Sequence, residues 1–173
     1  METEFSRIYD RRSLPAGPVV LEADEAERAA LARRFALVAV QALRAELTLE
    51  ATGETITANG MLEADVVQSC AVSGEDLPVT IAERLELVFV PAATVRTDAE
   101  EIELEEHELD EIAYEGTAFD LGEAVAQSLA LAIDPFATGP NAEAARRDAG
   151  LLDQDRSGPL AAGLAALKGL TKD

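Results

Sequence analysis

The feature that most constrains the fold of this chain is a long stretch, residues 37–90, in which apolar and polar residues alternate. Leu43, Ala45, Leu47 and Leu49 occupy every second position of one segment, and residues 78–90 follow the same pattern. Successive side chains of a β-strand point to opposite faces, so a period of two predicts strands with one buried and one solvated face. We therefore predict an antiparallel β-meander over residues 37–90. Gly53 and the dipeptide Asn59-Gly60 are expected to supply its turns or bulges.

Helices are predicted on both sides of the meander. In "DEAERAALARRFA" (24–36), Asp24 is a suitable N-cap, and an apolar stripe is expected at positions 26, 29, 30 and 35. In "FDLGEAVAQSLALAIDPF" (119–136), Asp120 is the N-cap and Glu123 stands at the third helical position, as in a capping box. Pro135 ends this helix because proline disfavours the helical conformation of the residue before it. Further helices are expected over residues 141–150 and 157–170.

The predicted elements define an α+β fold class. We expect an antiparallel β-meander or partial barrel, with an N-terminal helix and two or three C-terminal helices packed on it. The segment "EFSRIY" (4–9) is interpreted as a further short strand. Residues 1–150 are expected to form this domain, including an acidic loop over about 91–113 with a short strand embedded in it. Residues 151–173 are expected to form a hinge and a C-terminal Ala/Leu helix.

Composition indicates the compartment. No stretch approaches the roughly 20 apolar residues that a membrane span needs, and the first residues show no apolar region typical of a signal peptide. Cys70 is the single cysteine, so no internal disulfide is possible. We expect a cytoplasmic protein without a membrane partner.

The net charge of −20 is concentrated in the middle of the chain. Residues 1–44 carry seven arginines and seven acids, and residues 137–173 carry five bases and five acids. Residues 45–136 carry 22 acids against Arg84 and Arg96. Such a charge repels phosphates and attracts basic partners or cations, although a solubilising surface has the same composition.

The chain has few of the residues that a metal site or a catalytic site would need. A structural zinc or iron–sulfur site needs several converging soft ligands, whereas the chain has Cys70 and a single histidine, His107. The acidic run around His107 lacks the fixed spacing and the turn glycine of a calcium loop. Glycine-rich nucleotide-binding motifs are absent. We therefore expect no enzyme activity, no cofactor and no small-molecule substrate; the alternative is a metal-dependent hydrolase that uses the glutamate-rich segment and His107.

Two groups of charged residues are candidates for partner binding. Phosphates of RNA would be contacted by the arginines near the start, which are Arg11, Arg12, Arg33 and Arg34. A basic partner would be contacted by the acidic run, whose members are Glu101, Glu103, Glu105, Glu106 and Glu108. An ordinary charged helix face and a solvated acidic loop are the alternatives to these two interpretations.

Three separated segments together resemble the YceD family, the large ribosomal RNA subunit accumulation proteins. They are "SCAVSGEDLPVTIAERLELVFVP" (69–91), "FDLGEAVAQSLALAIDPFATGP" (119–140) and "SGPLAAGLAALKGL" (157–170), in the order of the family. The positions that match the family motifs are Cys70, Asp120, Leu121, Gly122, Glu123, Asp134, Pro135, Pro159, Leu164, Leu167 and Lys168.

The resemblance implies a non-catalytic role in the synthesis, processing or stability of 23S rRNA, and hence in assembly of the large subunit. The partner would be 23S rRNA or a pre-50S particle, or a basic ribosomal protein; the oligomeric state is left open. Many family members carry C-x2-C where this chain has Cys70 and Ser73, and Asn-Pro-Phe is common where it has Gly158-Pro159-Leu160. A metal role that the paired cysteines imply is therefore not carried over to this chain.

Overall fold

The computed structural model describes residues 4–92 and 111–150. These residues form an α+β fold, as predicted, with no closed barrel among them. The strands are β1 (Ile8–Asp10), β2 (Val19–Glu22), β3 (Ala39–Thr52), β4 (Thr55–Ser69), β5 (Asp76–Pro91), β6 (Glu111–Tyr114) and β7 (Ala118–Asp120). The helices are α1 (Glu25–Arg34), α2 (Leu121–Ala132) and α3 (Ala142–Asp148), and a short 3-10 helix covers Arg11–Ser13.

The main sheet contains five strands in the order β2-β3-β4-β5-β6. Strands β3, β4 and β5 are neighbours in chain order, which confirms the predicted meander. β2 adds to one edge, antiparallel to β3. β6 lies outside the predicted meander and adds to the other edge parallel to β5, with Val88 opposite Glu111. β1 and β7 form a separate antiparallel pair.

The alternation that predicted the meander also determines its core. Leu43, Ala45, Leu47 and Leu49 of β3 are buried, and so are Ile56, Ala58, Leu62, Ala64 and Val66 of β4. Their polar neighbours in the sequence lie on the opposite, solvent-exposed face. Removal of the apolar face from water supplies most of the free energy that stabilises such a sheet.

The predicted turn at Asn59-Gly60 is wrong. Both residues lie inside β4, opposite Thr48 and Leu47 of β3. The turn between the strands is made at Gly53, whose φ of 66° suits glycine, and the bulge lies between Val40 and Ala42. Gly60 serves close backbone approach instead, because a Cβ atom there would overlap the carbonyl oxygen of Glu46.

Helix α1 has the predicted N-cap. Asp24 accepts a hydrogen bond from the backbone N–H of Glu27, and the Glu27 side chain accepts one from the backbone N–H of Asp24. The expected stripe of alanines is wrong, however: the buried residues of α1 are Leu31 and Ala32. Leu121, Ala124, Val125 and Leu129 form the buried face of α2.

The described residues divide into two compact units. One contains residues 4–68, 78–92 and 111–134, and the other contains residues 69–77 and 135–150. The expected hinge and C-terminal helix at 151–173 lie outside the described residues, as does most of the expected acidic loop. No helix within the described residues has both the length and the apolar character that a membrane crossing requires.

Candidate partner-binding surface

The carboxylate of Asp120 joins the start of α2 to the N-terminal segment. It accepts hydrogen bonds from the Ser6 hydroxyl at 2.6 Å, from the Arg7 backbone N–H at 2.8 Å and from the Glu123 backbone N–H at 3.1 Å. The third bond is the N-cap that the sequence predicted. The first two hold residues 6 and 7 in place. β1 begins at Ile8 and not at residue 4 as expected.

The two residues after Asp120 complete this junction. The Leu121 side chain is fully buried, and its backbone N–H donates to the Arg7 carbonyl at 3.0 Å. A Cβ atom on Gly122 would lie 2.7 Å from the Arg7 nitrogen and 2.7 Å from the Phe5 oxygen. Glycine at this position therefore allows the N-terminal segment to pass directly over the helix.

Glu123 binds an arginine across the fold. Arg34 of α1 donates to both oxygens of Glu123, at 2.8 and 2.7 Å, and also to Glu4 at 3.0 Å. The hydrogen bond from Arg34 lowers the pKa of Glu123, and the same bond raises the pKa of Arg34. The motif Asp120-Leu121-Gly122-Glu123 thus fixes the N-terminal segment and α1 to α2, which is a structural role.

Cys70 lies in a tight loop of the second unit. The thiol sulfur accepts hydrogen bonds from the backbone N–H groups of Val72 at 3.5 Å, Ser73 at 3.3 Å and Gly139 at 3.3 Å. These bonds, with that from Gly139 the largest, lower the pKa of the Cys70 thiol to about 6. The side chain is only 4% exposed, so the loop encloses the sulfur, and its three backbone N–H donors favour the charged form of the thiol.

The same loop is closed by Glu75. Its carboxylate accepts from the Asn141 amide at 2.6 Å, the Asn141 backbone N–H at 3.1 Å and the Ser73 hydroxyl at 3.1 Å. The Asn141 side-chain hydrogen bond is the main cause of the lowered pKa of Glu75. Ser73, three residues after Cys70, therefore donates its hydroxyl hydrogen bond to this carboxylate. No group of three or more histidine, cysteine or acidic residues that would hold a metal ion occurs in residues 4–92 and 111–150.

The four arginines predicted to contact RNA are not gathered into a free basic surface. Arg11 pairs with Glu54 at 2.8 Å, Arg12 with Asp10 at 2.6 Å, and Arg34 with Glu4 and Glu123 as described. The hydrogen bond from Arg12 also strongly lowers the pKa of Asp10. Arg33 is exposed and makes no ion pair with any other described residue. Local carboxylates thus neutralise three of the four candidates.

A different charged surface, which the sequence reasoning missed, lies on the solvent-exposed face of β2, β3 and β4. The strand register places Val20, Glu46 and Met61 in one row across the sheet. It places Glu22, Arg44 and Glu63 in another row. We call these six residues the open-face patch. The polar positions between the buried residues of β3 and β4 were the signal that would have identified it.

The comparison with family models matches residues 58–168 to the model described as large ribosomal RNA subunit accumulation protein YceD. This match covers more than half of the chain and includes the Cys70 loop and all of α2. The chain belongs to the YceD family. Neither the curated proteins nor the solved structures gave a match. Membership in this family implies a role in the accumulation of the RNA of the large ribosomal subunit.

The YceD motif positions have distinct places in the fold. Asp120, Leu121, Gly122 and Glu123 form the junction with the N-terminal segment. The carbonyl oxygen of Asp134, just before Pro135, accepts a hydrogen bond at 2.8 Å from the buried side chain of Gln68. The remaining motif positions, Pro159, Leu164, Leu167 and Lys168, lie outside the described residues.

The predicted acidic contacts also lie outside the described residues. They are Glu101, Glu103, Glu105, Glu106 and Glu108, together with His107 of the hydrolase alternative. Their role as a surface for a basic partner stays a prediction.

Proposed function

We propose that this YceD protein is a non-catalytic cytoplasmic factor that promotes the synthesis, processing or stability of 23S rRNA, and thereby assembly of the large subunit. It acts by binding a component of the pre-50S particle. Family membership supports the role in rRNA accumulation. A non-catalytic role agrees with the structural contacts that Asp120, Leu121, Gly122 and Glu123 make between α2, α1 and the N-terminal segment.

The component that it binds is a basic ribosomal protein rather than bare rRNA. The observation that carries this choice is the neutralisation of Arg11, Arg12 and Arg34 by carboxylates within 3.0 Å. Each phosphate that approaches a protein must be met by a local cation, and the overall charge of −20 opposes that approach. The acidic run at 101–108 contributes to this negative charge and therefore also opposes the approach of RNA phosphates. No observation favours the hydrolase alternative.

The first experiment deletes the gene for this protein in its own cells and measures the rRNA. We expect the ratio of mature 23S to 16S rRNA to fall, with precursors of the large subunit accumulating, and the full-length chain to restore the ratio. An unchanged ratio contradicts the proposed function.

A second experiment separates the two partners. Arg12 and Arg33 are exposed and take no part in the junction between Arg34 and Glu123, so we expect the charge reversal R12E/R33E to leave that junction in place. We expect it to retain association with pre-50S particles, because the basic surface is not the site of binding. Loss of association in this variant would instead indicate contact with rRNA phosphates.

A further inference from the structure

The open-face patch combines exposed apolar side chains with carboxylates. Val20 is 51% exposed and Met61 is 47% exposed, and Glu46 lies between them in the same row. A shallow depression of about 430 Å³ opens beside Met61, with Pro18, Thr48 and Asn59 among its lining residues. Apolar anchors within a polar rim are typical of protein–protein contact surfaces.

The row of Glu22, Arg44 and Glu63 shows that this surface binds a cationic side chain of its own. The Arg44 guanidinium lies 2.7 Å from Glu46, 3.5 Å from Glu22 and 3.8 Å from Glu63. The hydrogen bond with Glu46 raises the pKa of Arg44. Three carboxylates thus converge on one guanidinium, and the patch still carries more negative than positive charge.

The surroundings extend the same charge. Glu50 of β3 and Asp65 of β4 are exposed on the same face of the sheet as Glu46 and Glu63. A second copy of this face, or an RNA backbone, would bring like charges together. A basic protein segment is the occupant whose charge is complementary.

We propose that the open-face patch is the docking site of a basic, extended protein segment. Lysine or arginine side chains of the partner pair with Glu46 and Glu63, and an apolar side chain between them packs beside Met61. This proposal rests on the proposed function and names the surface through which a basic ribosomal protein is held.

The first test measures binding to the full-length chain by fluorescence anisotropy. The probe is a labelled peptide in which lysine and leucine alternate, at an ionic strength near the physiological value. We expect the charge reversal E46K/E63K to weaken binding at least about tenfold. The neutral variant E46Q/E63Q should lose part of the affinity without introducing new repulsion.

A matched control separates local from overall charge. Glu115 and Glu143 are exposed and lie outside the open-face patch, and E115K/E143K changes the net charge by the same amount. We expect this variant to bind the probe within about twofold of the unmodified protein. Equal weakening by the two double variants would mean binding by overall charge alone and would overturn the proposal.

The apolar part of the surface is tested with a second matched pair. Met61→Ala removes the anchor in the patch, whereas Leu131→Ala removes a side chain that is 88% exposed on α2. We expect M61A to weaken binding of the lysine–leucine peptide about fivefold at raised salt, where charge pairing is screened. L131A should have no effect; an unchanged affinity in M61A would overturn the apolar contact.

An experiment in cells separates failure of the docking proposal from failure of the proposed function: the protein is removed, and each variant is tested for restoration of 23S rRNA. If removal of the protein leaves 23S rRNA unchanged, the proposed function fails whatever the peptide does. If removal lowers 23S rRNA but E46K/E63K restores it as well as E115K/E143K does, the docking proposal fails and the proposed function stands. Restoration by the control and not by E46K/E63K supports both.

Discussion

At the scale of single residues, Cys70 provides a charge that responds to pH. The thiol has a pKa of about 6 in the folded chain against an ordinary value of 9.0. Because the folded-state pKa is lowered, the unfolded chain binds more protons between these values, and the free energy of unfolding rises with pH there. The contribution is fully present above about pH 9 and is lost as the pH falls through about 6.

We therefore expect Cys70→Ser to remove this dependence. The hydroxyl occupies a similar volume but does not titrate, so the difference in unfolding free energy between the two proteins should grow from pH 6 to pH 9. Urea unfolding of both at about pH 6, 7.5 and 9 measures it. A constant difference would show that the sulfur is not charged in the folded state.

Asp120 provides a second test at this scale. Asp120→Ala removes an N-cap, which is worth about 1 kcal/mol, and also the acceptor for Ser6 and Arg7. We expect a loss of about 2–3 kcal/mol in the free energy of unfolding. Asp24→Ala is the matched control, because Asp24 caps α1 without such a long-range contact, and it should cost about 1 kcal/mol. Equal losses would contradict the role of Asp120 in holding the N-terminal segment.

At the scale of elements, the start of α2 depends on close backbone approach. Gly122→Ala places a methyl group 2.7 Å from backbone atoms of Phe5 and Arg7, so the N-terminal segment must move. We expect a loss of about 1–3 kcal/mol in the free energy of unfolding, measured by denaturant titration. Gly17→Ala is the control, since nothing lies within 4 Å of a Cβ atom there. Similar stability in both variants would rule out the proposed packing.

The elements also show which parts of the fold local sequence predicts. The strands of the meander and the caps at Asp24 and Asp120 depend on alternation and on contacts within three residues, so the sequence alone predicted them. Contacts such as that of Ser6 with Asp120, 114 positions apart, leave no local pattern. The same limit applies to the parallel pairing of β6 and to Gly60, where "Asn-Gly" indicates a turn but the backbone of β3 requires glycine for close approach.

At the scale of the whole molecule, the distribution of charge favours the acidic candidate surfaces over the arginines near the start of the chain. The sequence identified the acidic middle of the chain and the arginines near its start, but it did not reveal that three of those arginines are paired. Nor did it place Glu22, Glu46 and Glu63 around Arg44, because that requires the register of three strands. We therefore propose that the partner binds to acidic surfaces of the protein.

The most direct measurement of this claim is a pull-down of the tagged, full-length protein from an extract of its own cells, with and without ribonuclease. We expect a basic ribosomal protein to remain bound after ribonuclease treatment, since carboxylates and not RNA hold it. We also expect its recovery to fall at high salt. Loss of all large-subunit components on ribonuclease treatment would contradict the account and would assign recognition to the rRNA.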